Sequence, residues 1–422
     1  MFVFKKNHYL FVFAVLVVTV SFVAWRNSES NTSVPSIEAE SPSIEAVHFY
    51  EMNTDSEMNT DSEKNECFIG VWIPYLSLIS DYSEDGFKQN FLDKLSAAAE
   101  IHATAIFVHV RPFGDSLYPS EYEPWSHILT GTQGEDPGFD PLAYMLEQTH
   151  ALGMEFHAWV NPLRISTGLT PGKLSGENFY EKNKELNPHF FMEYKDAVYY
   201  NPASAEIRER IADAAAEIAE MYAVDGIHFD DYFYPTDDAS LDATSYEAYK
   251  DSTENPITLL EWRKANINSL IASVYQKIKR KNTNVIFGIS PQGNIENDLK
   301  MGADVYTWCA QKGYLDYICP QLYYPLDSES LQFEEALIEW RSIMENTGVK
   351  MYTGLAVYKL GSDMDSGAWK EKDEVIEKQI DLCSSNDISG ISFYAVDNLQ
   401  EDDMRETIRS NVERFASERQ NP

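Results

Sequence analysis

From Gly70 onward the chain alternates between short apolar runs and longer stretches with helical period. Eight apolar runs recur: GVWIPYL (70–76), AIFVHVRP (105–112), MEFHAWVNP (154–162), GIHFDDY (226–232), VIFGISP (285–291), YICPQLYY (317–324), MYTGLAVY (351–358) and GISFYAVD (390–397). Runs this continuous in Val, Ile and Phe fit parallel strands buried on both faces. The segments between them, such as FKQNFLDKLSAAAEIHA, PLAYMLEQTHALG, SAEIRERIADAAAEIAEMYAV and WRKANINSLIASVYQKIKR, have helical periodicity. Several end at Gly or in a basic turn, as helix C-termini do. Eight such alternations predict one (β/α)8 TIM barrel. The long segments after strands two, three and four then become loops on the face where barrels of this kind carry their sites. A doubly wound open sheet is disfavoured, because no Gly-rich phosphate loop follows the first strand.

The N-terminal part reads differently. Lys5 and Lys6 precede an apolar run from Tyr9 to Trp25, with Arg26 just beyond. Residues 1–26 are therefore expected to be a signal anchor or signal peptide. Cleavage after Ala24 would put the bulky Phe22 at the −3 position, so an uncleaved anchor is favoured. Lysines on the N-terminal side predict an extracytoplasmic, membrane-anchored or secreted domain. Residues 27–66 carry PSIEA twice and EMNTDS twice in tandem. This acidic Ser/Thr/Asn-rich stretch is too polar to form a core and reads as a disordered linker. The barrel is assigned to 67–422.

Composition narrows the partners. Hydrophobic residues make up 44% of the chain and aromatic residues 13%, enough for a large core. The formal charge of −35 argues against nucleic acid and against an anionic lipid surface, leaving a neutral glycan or a cationic patch as easier partners. Four cysteines, Cys67, Cys309, Cys319 and Cys383, are widely spaced and form no CxxC pair. Cys319 falls within a strand and is read as a core thiol.

Alternation within the strands picks out an inward face. His109 and Arg111 share one face of the second strand, His157, Trp159 and Asn161 that of the third, and His228, Asp230 and Tyr232 that of the fourth. The same parity adds Ser290, Gln321 and Tyr323. Carboxylates beside aromatics at a strand end suit sugar chemistry, since acids manage protons or oxocarbenium charge while aromatic faces stack on pyranose rings. Asp230 is the main catalytic candidate; Asp231 points outward by parity but stands where the chain turns. Asp115 is a candidate second carboxylate, with Glu296 and Asp397 behind it. Arg111 is expected either to hold Asp115 or Asp230 ionised or to grip a substrate carboxylate. Trp159, Tyr232 and Tyr323 are expected to stack on sugars. Glu155 and Asp316 lie at strand beginnings and are read as structural.

The segments GVWIPYL, VRPFGDSLYPSEYEPWSHILTGTQGEDPGFDPL, HAWVNPLR, DGIHFDDYFYP, FGISPQG and DYICPQLYY resemble, in order, the glycosyl-hydrolase-like 10 family of bacterial envelope proteins. The resemblance runs from about Gly70 to Tyr358. It implies a (β/α)8 barrel and a cofactor-free glycosidase acting on cell-wall glycan, with peptidoglycan glycan strands as the leading substrate. Positions matching the family's polar motifs are Arg111, Asp115, His157, Asn161, Arg164, His228, Asp230, Asp231, Gln321 and Tyr323. Where members often continue the fifth strand as PFGIWRN, this chain has PQGNIEND, a departure at the position of a subsite. Two other functions compete: a metal-dependent deacetylase or amidohydrolase using His109, His157 and His228, and a non-catalytic glycan-binding barrel. The first strand lacks the His-x-His that metal barrels of the deacetylase kind carry.

Overall fold

The computed structural model describes residues 67–420 except Leu169, Asp231, Tyr232 and Asn346. The expected anchor, the linker through residue 66, and the candidates Asp231 and Tyr232 therefore lie outside the described residues. Eight parallel strands close into a barrel: β1 (Phe68–Ile73), β2 (Ala105–Arg111), β3 (Glu155–Val160), β7 (Gly226–Asp230), β8 (Ile286–Ser290), β9 (Tyr317–Ile318), β10 (Lys350–Ala356) and β11 (Gly390–Tyr394). They follow one another around the barrel in chain order, and β11 closes on β1. Between β3 and β7, the chain builds a three-stranded antiparallel sheet from β4 (Arg164–Ser166), β5 (Phe191–Tyr194) and β6 (Ala197–Tyr200). The sequence reading expected only a loop there. The strands are short and their burial is mixed, so no long apolar run announces them.

Helices alternate with the strands and start on side-chain caps. Ser83, Asp140, Ser204 and Thr258 each accept a backbone N–H in the first turn of Glu84–Glu100, Pro141–Ala151, Ala205–Met221 and Leu259–Lys281. Such caps satisfy otherwise orphaned donors. The apolar stripes of these helices meet the outward-facing strand residues, including Ile106, Val108, Phe156, Ala158, Ile227 and Phe229, in one continuous core. The ninth strand is far shorter than the run 317–324 suggested. Pro320 has no N–H to donate to a ladder. Gln321 rejoins the sheet only through single bridges to Gln292 and Gly354.

A second apolar cluster fills the barrel itself: Phe68, Trp72, Ala105, Phe107, Trp159, Tyr317, Cys319 and Tyr352. Phe68 stacks on Tyr352 with ring centroids 3.9 Å apart, and Trp72 stacks on Phe107 at 5.1 Å. Each large ring fully buried this way contributes roughly 1.5–3 kcal/mol. Glycines make the room. A Cβ on Gly288 would lie 2.1 Å from the Tyr317 ring, and one on Gly226 2.4 Å from His157 Nδ1. Cys319 sits within this filling, fully buried, and none of the four cysteines is bonded to another.

Candidate active site

The inward polar residues occupy two depths. Deep in the barrel, the Tyr317 hydroxyl lies 3.1 Å from His157 Nδ1 and 2.8 Å from His228 Nδ1. His157 Nε2 lies 3.0 Å from Glu155 Oε2, so it carries the proton, and His157 Nδ1 accepts from Tyr317. His228 Nδ1–H then donates to the Tyr317 oxygen. Burial, and after it the neighbouring His157, push the His228 pKa well below its usual value. The resemblance implies a substrate-binding role for His157 and His228, but both are fully buried and bonded to Tyr317 instead. Glu155 serves the frame, as does Asp316, which accepts the Phe287 N–H at 2.7 Å.

The upper layer surrounds Asp230. Asp230 is the last residue of β7, and Gln321 Nε2 donates to its Oδ1 at 2.6 Å. A hydrogen bond to a charged group contributes about 1.5–3 kcal/mol, so the carboxylate is firmly placed. Asp230 lines a cleft of ≈ 350 Å³ together with Asn161, Arg164 and Thr167 from the end of β3 and the segment after it. Tyr199 of the small sheet and Gln292, Asn297 and Met301 after β8 complete its walls. The Arg164 guanidinium lies over the Phe113 ring at 5.4 Å. His109 Nε2 is 2.6 Å from Asn161 Oδ1, and the His109 ring stacks on Trp159 at 3.7 Å. Burial first, and then the Arg164 charge, hold the His109 pKa well below its usual value. Farther round the barrel, Tyr323 after β9, Tyr358 just after β10 and Tyr394 at the end of β11 pack against one another with centroids 5.9–6.0 Å apart.

Other sequence candidates have different partners. Arg111, 2% exposed, donates to Glu123 Oε1 at 2.8 Å and to the carbonyl oxygens of Asn161 and Pro162, so it bonds neither Asp115 nor Asp230. Asp115 is fully buried, and its Oδ2 accepts from His127 and Gln133 at 3.1 Å each. That arrangement orders the loop after β2 and removes Asp115 from the list of accessible proton donors. Glu296 points to solvent and pairs with Lys300 at 2.8 Å, a bond that lowers its pKa. Asp397 is held by Lys94 at 2.6 Å and by Ser77. Trp159 is buried and gives one ring face to His109, which leaves its indole N–H rather than an open face. Among the described residues, no three His, Cys, Asp or Glu side chains gather closely enough to hold a metal ion.

Sequence reasoning missed Thr167, Tyr199, Gln292 and Asn297. Gln292 was within reach, because it continues the inward alternation of Gly288 and Ser290. Tyr199 was not, since it depends on the unforeseen sheet.

Residues 68–370 match the family model described as glycosyl hydrolase-like 10. The chain belongs to the glycosyl hydrolase-like 10 family. It is 35% identical over 338 residues to glycosyl hydrolase YngK of Bacillus subtilis, covering 74% of this chain and 64% of that protein. It thus spans just under two thirds of that relative's length. It is 31% identical over 363 residues to glycosyl hydrolase DigH of Escherichia coli K12, covering 78% of this chain and 80% of that protein. The glycoside hydrolase domain of PgaB (BpsB) from Bordetella bronchiseptica has the same fold, with a TM-score of 0.55 at 14% identity, over 81% of this chain and 98% of that one. So does alpha-L-fucosidase isoenzyme 2 from Paenibacillus thiaminolyticus, with a TM-score of 0.54 at 14% identity, over 82% of this chain and 49% of that one. The glycosyl hydrolase-like 10 motifs thus map onto two depths here: His157 and His228 in the filling, and Asn161, Arg164, Asp230 and Gln321 at the mouth.

Proposed function

We propose that this chain is an O-glycosyl hydrolase of cell-wall glycan, acting on peptidoglycan glycan strands outside the cytoplasm, with residues 1–26 tethering it to the membrane. The observation that carries the reading is Asp230: a carboxylate at the C-terminal end of a barrel strand, fixed by Gln321, in an open cleft of a glycosidase-family barrel. That is where barrels of this architecture carry catalytic groups. Asp230 is assigned the proton transfer or the stabilisation of oxocarbenium charge. Asp231, its neighbour in sequence, is the second carboxylate to test. Arg164, Asn161, Gln292 and Tyr199 line the walls against which sugars would lie.

The test is hydrolysis of peptide-free peptidoglycan glycan strands, with products read by mass spectrometry. Asp230→Asn is expected to fold normally and lose activity by ~10² or more. A folded Asp230→Asn protein with parental activity would remove Asp230 from the chemistry. A parental protein that cleaves no glycan strand would overturn the reading itself.

A further inference from the structure

Gln321 reaches Asp230 from a segment with little ladder to hold it. β9 stops at Ile318, Pro320 has no N–H to give, and the Gln321 N–H donates to the Pro291 carbonyl at 3.1 Å. Its bridge partner Gln292 lies in the turn after β8. That turn fits closely against Gln321: a Cβ on Gly293 would lie 2.3 Å from the Gln321 carbonyl oxygen. The place of Gln321 therefore depends on where Pro291, Gln292 and Gly293 lie.

Two buried side chains from different helices hold the turn. Asp298, 3% exposed in the helix Ile295–Lys300, accepts the Gln292 N–H on Oδ1 at 3.0 Å. Trp340, fully buried in the helix Phe333–Ile343, donates its Nε1–H to the Gly293 carbonyl at 2.9 Å. Burying a carboxyl is costly. At this place it does what an apolar side chain cannot, since it fixes a backbone N–H next to the support of Gln321. We infer that Asp298 is a positioning residue for the proposed reaction: by holding the Gln292–Gly293 turn, it keeps Gln321 Nε2 on the Asp230 carboxylate. This rests on the reading of Asp230 as the reacting carboxylate and adds what fixes its hydrogen-bond donor.

A donor on an ionised carboxylate favours the charged form, so losing it moves the limb of the pH profile that Asp230 sets toward higher pH. For a hydrogen bond to a charged group the full displacement is about one to two pH units. Among the described residues, Cys319 and Tyr323 face Asp230, and burial raises the pKa of each well above its usual value. Tyr324 faces Asp298 and is pushed up to about 12 by burial, so none of the three titrates near neutral pH. The test is the pH dependence of kcat/KM for cleavage of peptide-free glycan strands by the full chain. Asp298→Leu, which keeps the volume and drops the acceptor, is expected to move the limb in the same direction as Gln321→Leu. The double variant should move it no further than Gln321→Leu alone. Asp298→Asn keeps an oxygen for the Gln292 N–H and should retain the parental profile. A merely structural role would lower the melting temperature and leave the limb in place. An unmoved limb in folded Asp298→Leu would overturn the inference while leaving Asp230 as the reacting carboxylate. Should that variant not fold, Trp340→Phe, which frees the Gly293 carbonyl, decides by the same criterion. An equal displacement in Asp298→Asn would overturn it too, because the charge of Asp298 rather than its hold on Gln292 would then be acting. A parental protein that cleaves no glycan strand would overturn the glycosidase reading and this role with it.

Discussion

Replacing Glu123 by Gln removes the carboxylate charge beside Arg111 while keeping its shape. The Arg111 and Glu123 side chains are 2% and 1% exposed and meet at 2.8 Å. At that separation, with an effective dielectric near ~20, the attraction between unit charges is about 6 kcal/mol. Arg210, at 3.5 Å from the other oxygen, adds a second cation that loses its partner. The desolvation already incurred by Arg111 is not returned, so a cost of about 3–5 kcal/mol in unfolding free energy is expected. Urea unfolding followed by circular dichroism measures it. The same guanidinium holds the carbonyls of Asn161 and Pro162 at 2.9 and 3.3 Å, so activity per folded molecule should also fall. Pairing Glu123→Leu with Arg111→Met removes both charges and should regain much of the stability, but not the activity. A Glu123→Gln protein within about 1 kcal/mol of the parent would refute the reasoning, because Arg111 would then not depend on its pair.

Asp298→Asn should stabilise the protein at neutral pH. One carboxyl oxygen of Asp298 takes the Gln292 N–H at 3.0 Å, the other is buried without a partner, and burial raises its pKa well above the usual value. Because the folded pKa exceeds the unfolded one, the stability tied to the protonated form is intact below about pH 4 and is lost as pH rises. The gain from Asn should therefore be near zero at low pH and grow toward neutrality. A gain independent of pH would contradict the assignment. Asp115→Ala should cost about 1–3 kcal/mol, read from urea midpoints, by stranding the His127 and Gln133 donors. It should leave activity per folded molecule within a few-fold of the parent, whereas loss on the scale of Asp230→Asn would restore Asp115 as a proton donor. Glu296→Gln, at an exposed pair with Lys300, should change neither activity nor melting measurably.

Strand existence and inward parity were legible because both depend on local alternation. All eight apolar runs overlap barrel strands. What parity does not carry is depth. His157 and Asn161 share a face four residues apart, yet one is sealed beneath aromatic rings and the other lines the cleft. Strand tilt and the glycines at 226 and 288 decide that difference, through contacts remote in sequence. Partner choice was equally hidden. Nothing in SLYPSEYEPW marks Glu123 rather than Asp115 as the counter-ion of Arg111, because the loop must first fold back over β2. The family resemblance supplied Arg164, which lies beyond the end of β3 and outside any parity argument.

The filled barrel has one further consequence. Phe68, Phe107, Trp72, Tyr317 and Tyr352 plug the channel, so among the described residues the barrel is closed beneath the site. A long polymer cannot be threaded through such a barrel. On the proposed function, a glycan would therefore reach Asp230 only from the open mouth. Water and protons for the proposed hydrolysis would reach Asp230 through that same opening.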